Sequence, residues 1–440
     1  SSKVSLQSEP NMLYHPQRQK YIVGTRRSQL ALVQTESVIE NLKKFYPNTE
    51  YDVVKIKTIG DKNLLDPLAN IGDKGLFTKE LEIELEKKSI DFVVHSLKDV
   101  PSTSLPPNMI IGAILDRADP RDAVVIAPWR TEKSLNELPD GSVIGTSSTR
   151  RIAQLKLAYS KFHYKNIRGN MNTRYEKLSD KTLGYDAMIV AVAGLQRLHW
   201  THLISEIIEP DIVLYAIGQG ALGIECRHDD NDTIKMLSVL NHFPSVIRCI
   251  AERSFLRRIG GGCSVPNAVQ TQYDGKELII DGILLNLDGT KFVKDRIIYS
   301  DITLPRRKLQ INRSVSIKRD NSPVTGNDGK YSTAERVEIA KRRLNLKRKH
   351  ANEDFDDEEV NNNNNNDDGG NKLSIIQTKS NATTTLYNQY LHVCCLNIDE
   401  TLLKNAEHCG VKLAMKLNQK GASNILQEIK QSLPLLWSNM

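Results

Sequence analysis

The sequence contains no apolar run approaching 18 residues and therefore offers no transmembrane helix. Cysteine is sparse, 6 in 440 residues with no C-x-x-C pair, which excludes a disulfide framework. The only hints of metal ligands are Cys226-Arg227-His228 and His199-Trp200-Thr201-His202, too few at metal spacing, so no metal site is expected. No Gly-x-Gly-x-x-Gly follows a strand and no Gly-Lys-Ser/Thr loop occurs, which argues against nicotinamide and nucleoside-triphosphate chemistry. Ser147 and Ser148 lie outside any Gly-x-Ser-x-Gly elbow, so a hydrolase triad is not indicated. Ser1 to Lys20 is polar, without the apolar centre of an export signal, and poor in arginine with Glu9 present. These absences lead to the expectation of a soluble, cytoplasmic protein.

What is present is mixed. Hydrophobic residues make up 39% and charged residues 26%, a little short of a globular average, and the net charge is +7. The length suggests roughly two to four domains. From Tyr21 to about Ser300, short apolar strands alternate with amphipathic segments. Strands are expected at 21–25, 51–56, 91–96, 110–115, 123–126, 142–146 and 187–192. Helical faces are expected to carry Ala31, Val38, Leu42 and Phe45, then Leu81 and Leu85 behind a Thr78 cap, then Ile152, Leu155 and Tyr159. Such alternation implies α/β domains with mostly parallel sheets and ligands beyond the carboxyl ends of strands.

After Ser300 the texture changes. Residues 306–350 hold 14 Lys+Arg against 4 Asp+Glu, and residues 351–370 hold 8 acidic residues and the run Asn361 to Asn366. Such composition buries too little surface to offset its ordering entropy, so about 306–385 reads as a disordered insertion. Its stretch Lys341 to Lys349 fits a nuclear-import or nucleic-acid signal, or simply a solvated segment beside its acidic counterpart; the second reading is favoured. Ordered pattern resumes with a strand through Tyr390 to Leu396, then helices at about 400–418 and 423–433.

Three turns share one chemistry. Gly24-Thr25-Arg26-Arg27-Ser28, Gly145-Thr146-Ser147-Ser148-Thr149-Arg150-Arg151 and Ile167-Arg168-Gly169-Asn170-Met171-Asn172-Thr173-Arg174 each lead from a strand into a helix. Each offers free backbone N–H groups at a positive helix end, beside guanidinium groups suited to forked recognition of carboxylate or phosphate. Three such turns point to one cleft for a multiply charged anion. Lys98-Asp99 ends the strand Val93 to Ser96, either as an ordinary strand-end ion pair or as a cleft carboxylate able to stabilise positive charge on a substrate. His95, mid-strand, reads as a satisfied core histidine. Gly260-Gly261-Gly262-Cys263 is either a flexible connector with an incidental thiol or a loop bearing a nucleophilic or modified cysteine. Cys226, Cys249, Cys394, Cys395 and Cys409 read as packing cysteines.

Taken with Gln34, Lys74 to Glu82 and Gly218-Gln219-Gly220-Ala221-Leu222-Gly223, these motifs closely resemble the porphobilinogen deaminase family from about Tyr21 to Ser300 and again weakly near the C-terminus. The resemblance implies an α/β fold of three domains: two periplasmic-binding-protein-like lobes with mixed, mostly parallel sheets, plus a smaller α/β C-terminal domain. The first lobe would be 19–116 with 218–241, the second 117–217, and the third 242–440 including the insertion. It implies a transferase that condenses four porphobilinogen molecules head to tail into hydroxymethylbilane, releasing ammonia, primed by a dipyrromethane cofactor on a thioether. Cys263 matches the attachment position and Asp99 the catalytic carboxylate. Lys98, Ser28, Thr146, Ser147, Arg150, Arg151, Arg174 and Gln219 match cofactor-binding positions; Arg26, Arg27, Arg168, Lys74 and Arg197 match substrate-binding ones. A monomer acting on a small polycarboxylate follows, with no nucleic-acid or membrane partner.

Two other classes compete. A noncatalytic solute-binding protein of the same two-lobed architecture needs neither the Gly-Gly-Cys loop nor the second-lobe arginines. A nucleic-acid binder led by the basic stretch lacks interleaved aromatics. The insertion supplies four of the seven net positive charges, so the placement of the remaining charge matters more than its amount.

Overall fold

The computed structural model describes residues 14–58, 78–102, 105–260, 265–300, 302, 389–396 and 398–438. Lys74, Cys263 and the insertion at 306–385 lie outside the described residues.

The chain opens with β1 (Lys20–Arg26), α1 (Gln29–Phe45), β2 (Glu50–Ile56), α2 (Lys79–Glu86), β3 (Phe92–Ser96) and β4 (Met109–Ile114). The Ser28 hydroxyl starts α1 by accepting from the Ala31 N–H at 3.3 Å. Ala31, Val38 and Leu42 then bury one stripe of the helix against the sheet, each large side chain stabilising the fold by about 1.5–3 kcal/mol. Phe45, expected on that stripe, is instead 42% exposed; the last turn runs past the sheet and Tyr46 takes the buried place. Thr78 precedes α2, where Leu81 and Leu85 are buried, but its side chain makes no capping hydrogen bond.

At 115–121 the chain crosses into a second sheet. There follow β5 (Asp122–Ile126), β6 (Val143–Gly145), α3 (Thr149–Ala158), β7 (His163–Lys165), α4 (Met171–Ser179), β8 (Ala187–Ala191), α5 (Val192–Arg197) and β9 (Glu206–Ile208). The strand order is β7-β6-β8-β5-β9. Strand β6 runs parallel to β7 and β8, whereas β5 is antiparallel to both neighbours. Every residue of β5 is buried, the mark of a strand covered on both faces.

Residues 209–221 return the chain to the first sheet as β10 (Leu222–Arg227), antiparallel to β3 and β4. The two crossings are laced together: Arg117 Nε donates to the Gln219 carbonyl at 2.8 Å and the Ala118 N–H to the Gly220 carbonyl at 3.3 Å. Gly220 has φ +87°, and a Cβ there would lie 2.4 Å from the Ala118 carbonyl oxygen. Gly220→Ala is expected to destabilise the protein by about 1–3 kcal/mol, read as a lower urea midpoint. An unchanged midpoint would mean the crossing relaxes freely.

The remaining elements are α6 (Asn231–Ser238), α7 (Phe243–Ile259), β11 (Asn267–Tyr273), β12 (Leu278–Leu285), β13 (Phe292–Tyr299), β14 (Gln389–Tyr390), β15 (Val393–Cys394), α8 (Glu400–Gln419) and α9 (Ala422–Ser438). The sheet β11-β12-β13 is wholly antiparallel, unlike the parallel sheets that alternation implied. Its strands are joined by short hairpin connections, and only a long crossover permits parallel pairing. Helices α7 and α8 bury the largest apolar cluster against it, with Phe255, Leu284 and Leu413 fully buried.

The single strand expected at 390–396 is a tight hairpin, turned by Leu391 (φ 52°) and His392 (φ 63°). Although sequence position puts it in the third domain, β15 pairs with β4, completing the first sheet in the order β14-β15-β4-β10-β3-β1-β2. Cys226, Cys249, Cys394, Cys395 and Cys409 are all buried free thiols, as packing cysteines should be.

Candidate active site

A cleft of about 500 Å³ opens between the first two sheets, at the carboxyl ends of β1 and β3. The first turns of α1, α3, α4 and α5 line it, so several partly positive helix ends face one space. Asn170 caps α4 by accepting from the Thr173 N–H at 2.9 Å, and Ser148 caps α3 by accepting from the Arg151 N–H at 3.4 Å. Sequence accounts for this directly: each glycine-then-polar turn ends a strand and its last polar side chain begins the helix.

The lining includes Arg26, Arg27, Lys98, Arg151, Arg168, Arg174 and Arg197, with Ser28, Gln29, Gln34, Ser96, Ser147, Asn170 and Asn172 among the polar groups. Asp99 is its one carboxylate among the described residues. Asp99 ends the 3-10 turn Leu97–Asp99 that follows β3 and is exposed to the cleft. A second, more open groove of about 490 Å³, beside Val54, Ile56 and Ile83, gathers none of the sequence-predicted residues.

The cations are held, not loose. Arg174 Nε donates to the Gly169 carbonyl at 2.8 Å, and Arg197 Nη2 to the Gly220 carbonyl at 2.7 Å. Burial pulls both guanidinium groups down to about 10, with Arg151 and Arg168 adding to the pull on Arg174; both remain cations at neutral pH. Burial likewise lowers the Lys98 ammonium to about 8, against the opposing attraction of Asp99. Ser147 donates to the Ile167 carbonyl at 3.0 Å and Gln34 donates to Ser96 Oγ at 3.0 Å. Across the mouth, Asn172 Nδ2 donates to Gln29 Oε1 at 3.1 Å, linking the two lobes.

Three residues expected at the site stand behind it. Arg150 is buried, donating to the Leu214 carbonyl at 2.6 Å and to Asp122 at 2.8 Å, which leaves its guanidinium turned away from the cleft lining. Thr146 is buried and accepts from the Ser148 N–H at 3.2 Å. Gln219 is buried and bridges Asp122 and Lys98. Lys74 and Cys263 fall outside the described residues. His95 is a satisfied core histidine, 2.8 Å from the buried Glu225.

Sequence reasoning passed over Asp122, on which Arg150, Arg151 and Gln219 all converge. Nothing local marks it, because a carboxylate after Asp119-Pro120-Arg121 reads as an exposed strand start. The cross-cleft partner Gln29 was equally silent, since helix-start glutamines are ordinarily surface.

Comparison with known proteins matches residues 21–235 to the family described as "Porphobilinogen deaminase, dipyromethane cofactor binding domain" and residues 246–307 to "Porphobilinogen deaminase, C-terminal domain". The chain is 50% identical over 275 residues to a porphobilinogen deaminase of Gloeobacter violaceus, covering 62% of this chain and 83% of that one. It is 48% identical over 275 residues to that of Nostoc sp., covering 62% and 84%. Against that of Dictyostelium discoideum it is 48% identical over 288 residues, covering 64% and 88%.

Proposed function

The chain belongs to the porphobilinogen deaminase family, and from that premise we propose that the arginine-lined cleft is where Asp99 acts on the pyrrole substrate. The enzyme condenses four porphobilinogen molecules head to tail into linear hydroxymethylbilane and releases ammonia at each addition. A covalent dipyrromethane cofactor supplies the primer on which the chain is extended.

The observation that carries the site assignment is the charge pattern: among the described residues, one carboxylate, Asp99, within a cleft lined by seven cationic side chains. Each pyrrole unit bears an acetate and a propionate, so the donor set fits a group that accumulates carboxylates. Lys98, Arg151 and Arg174 would hold the cofactor's carboxylates, with Ser28 and Ser147 adding hydrogen bonds; Arg26, Arg27, Arg168 and Arg197 would hold the incoming substrate. Arg150, Thr146 and Gln219 would support these groups from behind. Asp99 is exposed to the cleft and would face the positive charge that ammonia loss leaves on the substrate pyrrole. A carboxylate accepting from pyrrole N–H groups stabilises that charge and assists proton transfer. Lys98 must stay protonated to bind a carboxylate, so activity is expected to fall as pH rises through about 8.

In this reading Cys263 carries the cofactor, Lys74 adds a cation, and the domains divide as 19–116 with 218–241, 117–217, and 242–440, except that the hairpin 389–394 joins the first sheet. The enzyme acts as a cytoplasmic monomer with no nucleic-acid or membrane partner; among the described residues no helix is long and apolar enough to cross a membrane.

Intact mass tests the assignment. Purified active protein should exceed its sequence mass by one dipyrrole, located by peptide mapping at Cys263, and Cys263→Ala should lose both the added mass and turnover. An unmodified Cys263 in active protein would overturn it.

A further inference from the structure

Asp122, the first residue of β5, is fully buried and does not line the cleft, yet two of the cations that do are tied to it, Arg151 directly and Lys98 through Gln219. Its Oδ1 accepts from Arg151 Nη2 at 2.7 Å and from Gln219 Nε2 at 2.8 Å. Its Oδ2 accepts from Arg150 Nη2 at 2.8 Å. The Gln219 amide also donates to the Pro120 carbonyl at 2.6 Å, and its Oε1 accepts from Lys98 Nζ at 3.2 Å. One carboxylate therefore holds Arg151 in the second lobe directly. Through Gln219, in the returning crossing, it also holds Lys98 in the first. Burial opposes the charge on Asp122, but the two guanidinium groups outweigh it and keep the carboxyl ionised far below its ordinary range.

We propose that Asp122 is the positioning residue of the cleft, fixing where Arg151 and Lys98 present their charges to the substrate's carboxylates on both sides of the crossing at once. This rests on the reading of the cleft given above. The Arg151 guanidinium has little freedom because each terminal nitrogen has its own buried acceptor: Nη1 donates to the Ile189 carbonyl at 2.8 Å and Nη2 to Asp122 Oδ1 at 2.7 Å. The Gln219 bridge carries the same constraint to Lys98, so the spacing of the two cations is set by one carboxylate.

Asp122→Asn retains the shape but turns an N–H2 group toward donors. Measured per cofactor-loaded molecule, kcat/KM for porphobilinogen is expected to fall about tenfold or more, mainly through KM, as for other residues that orient a binding group. The alkaline limb of the profile is the decisive readout. Lys98 is faced by Asp99 on its own turn, Arg150 and Arg151 from α3, Asp122 from β5, and Gln219 from the crossing. Without the Asp122 charge, burial and two guanidinium groups oppose the ammonium against Asp99 alone, so the limb moves to lower pH. A purely structural Asp122 would lower the melting temperature and leave KM and the limb of the folded fraction unmoved.

Where Asp122→Asn fails to fold or to acquire the cofactor, Gln219→Met decides. It cuts the link to Lys98, along with the amide's bonds to the Pro120 carbonyl and Asp122, while leaving both arginine pairs on Asp122, and should move the limb of the folded, loaded protein in the same direction. Wild-type protein lacking the dipyrrole mass would sink the reading of the cleft itself. Loaded wild type with normal turnover, beside variants that keep its KM and its limb, overturns the role of Asp122 alone.

Discussion

Asp99→Asn is expected to lower turnover by about 100-fold or more while leaving the covalent cofactor in place. The substitution keeps the side chain's shape and removes the one negative charge that the described residues supply to the cleft. Asp99 lies close enough to Lys98 and Arg174 to favour the charged form of both, so it is set among the cations that line the cleft. Asparagine still accepts one hydrogen bond from a pyrrole N–H, but it cannot offset the cationic character that ammonia loss creates, nor take a proton. Under the proposed assignment of substrate binding to the arginines, binding should survive, so the loss should fall on kcat more than on KM. The measurement is product formation per mole of loaded protein, with intact mass confirming the load. A loss smaller than about threefold would remove Asp99 from the chemistry, since a group that stabilises developing charge contributes far more than that.

Glu252→Gln is expected to destabilise the fold by about 3–5 kcal/mol without touching the cleft. Glu252, on α7, is fully buried and paired with Arg117 of the first crossing at 2.5 and 3.0 Å. It also accepts from the Gly218 N–H of the second crossing at 2.8 Å and from Thr271 Oγ1 of β11 at 2.5 Å. Arg117 stacks over the Tyr215 ring at 4.8 Å, and the Tyr215 hydroxyl accepts from the Thr271 N–H at 2.7 Å. Both crossings are thus fastened to the third sheet through one carboxylate. Neutralising it leaves a buried guanidinium without its counter-charge, which burial makes costly. The apparent melting temperature should drop by several degrees, and Arg117→Met added to Glu252→Gln should recover part of the loss. A melting temperature within a degree of wild type would show that water or neighbouring groups compensate.

The same pair sets an acid limit. Burial by itself would raise the Glu252 carboxyl, but Arg117 and the hydrogen bonds outweigh it and hold the group below its ordinary 4.5. A depressed carboxylate contributes stability that is fully present above its unfolded value and is lost as pH falls through the folded one. Wild type should therefore lose this contribution below about pH 4.5, and Glu252→Gln should lack that part of the acid dependence.

Much of the site was legible in the residues because its parts are local. A glycine that lets a strand turn, a polar cap and an arginine within a few positions make a helix-start anion site wherever the chain puts them. Arg26, Arg168 and Arg174 accordingly line the cleft as their turns suggested. Arg150 and Arg151 show where local reading ends. They are adjacent in one turn and look equivalent, yet α3 turns Arg151 to the cleft and Arg150 to Leu214 behind it. Helical rotation of about 100° per residue separates neighbours, and only the packing of α3 decides which of the two faces the ligand.

By itself, the sequence determined the alternation of strand and helix through Ala191, the family and the chemistry of the turns. These follow from residue order and short-range hydrogen bonding, which need no knowledge of distant contacts. Tertiary structure alone decided that β15 joins the first sheet beside β4, that β11 to β13 pair antiparallel, and that Asp122 and Glu252 sit at the centres of two buried networks. Each of these joins residues far apart in the chain. A carboxylate's burial and the cations it meets are properties of the packed molecule, and the sequence around Asp122 or Glu252 carries no sign of either.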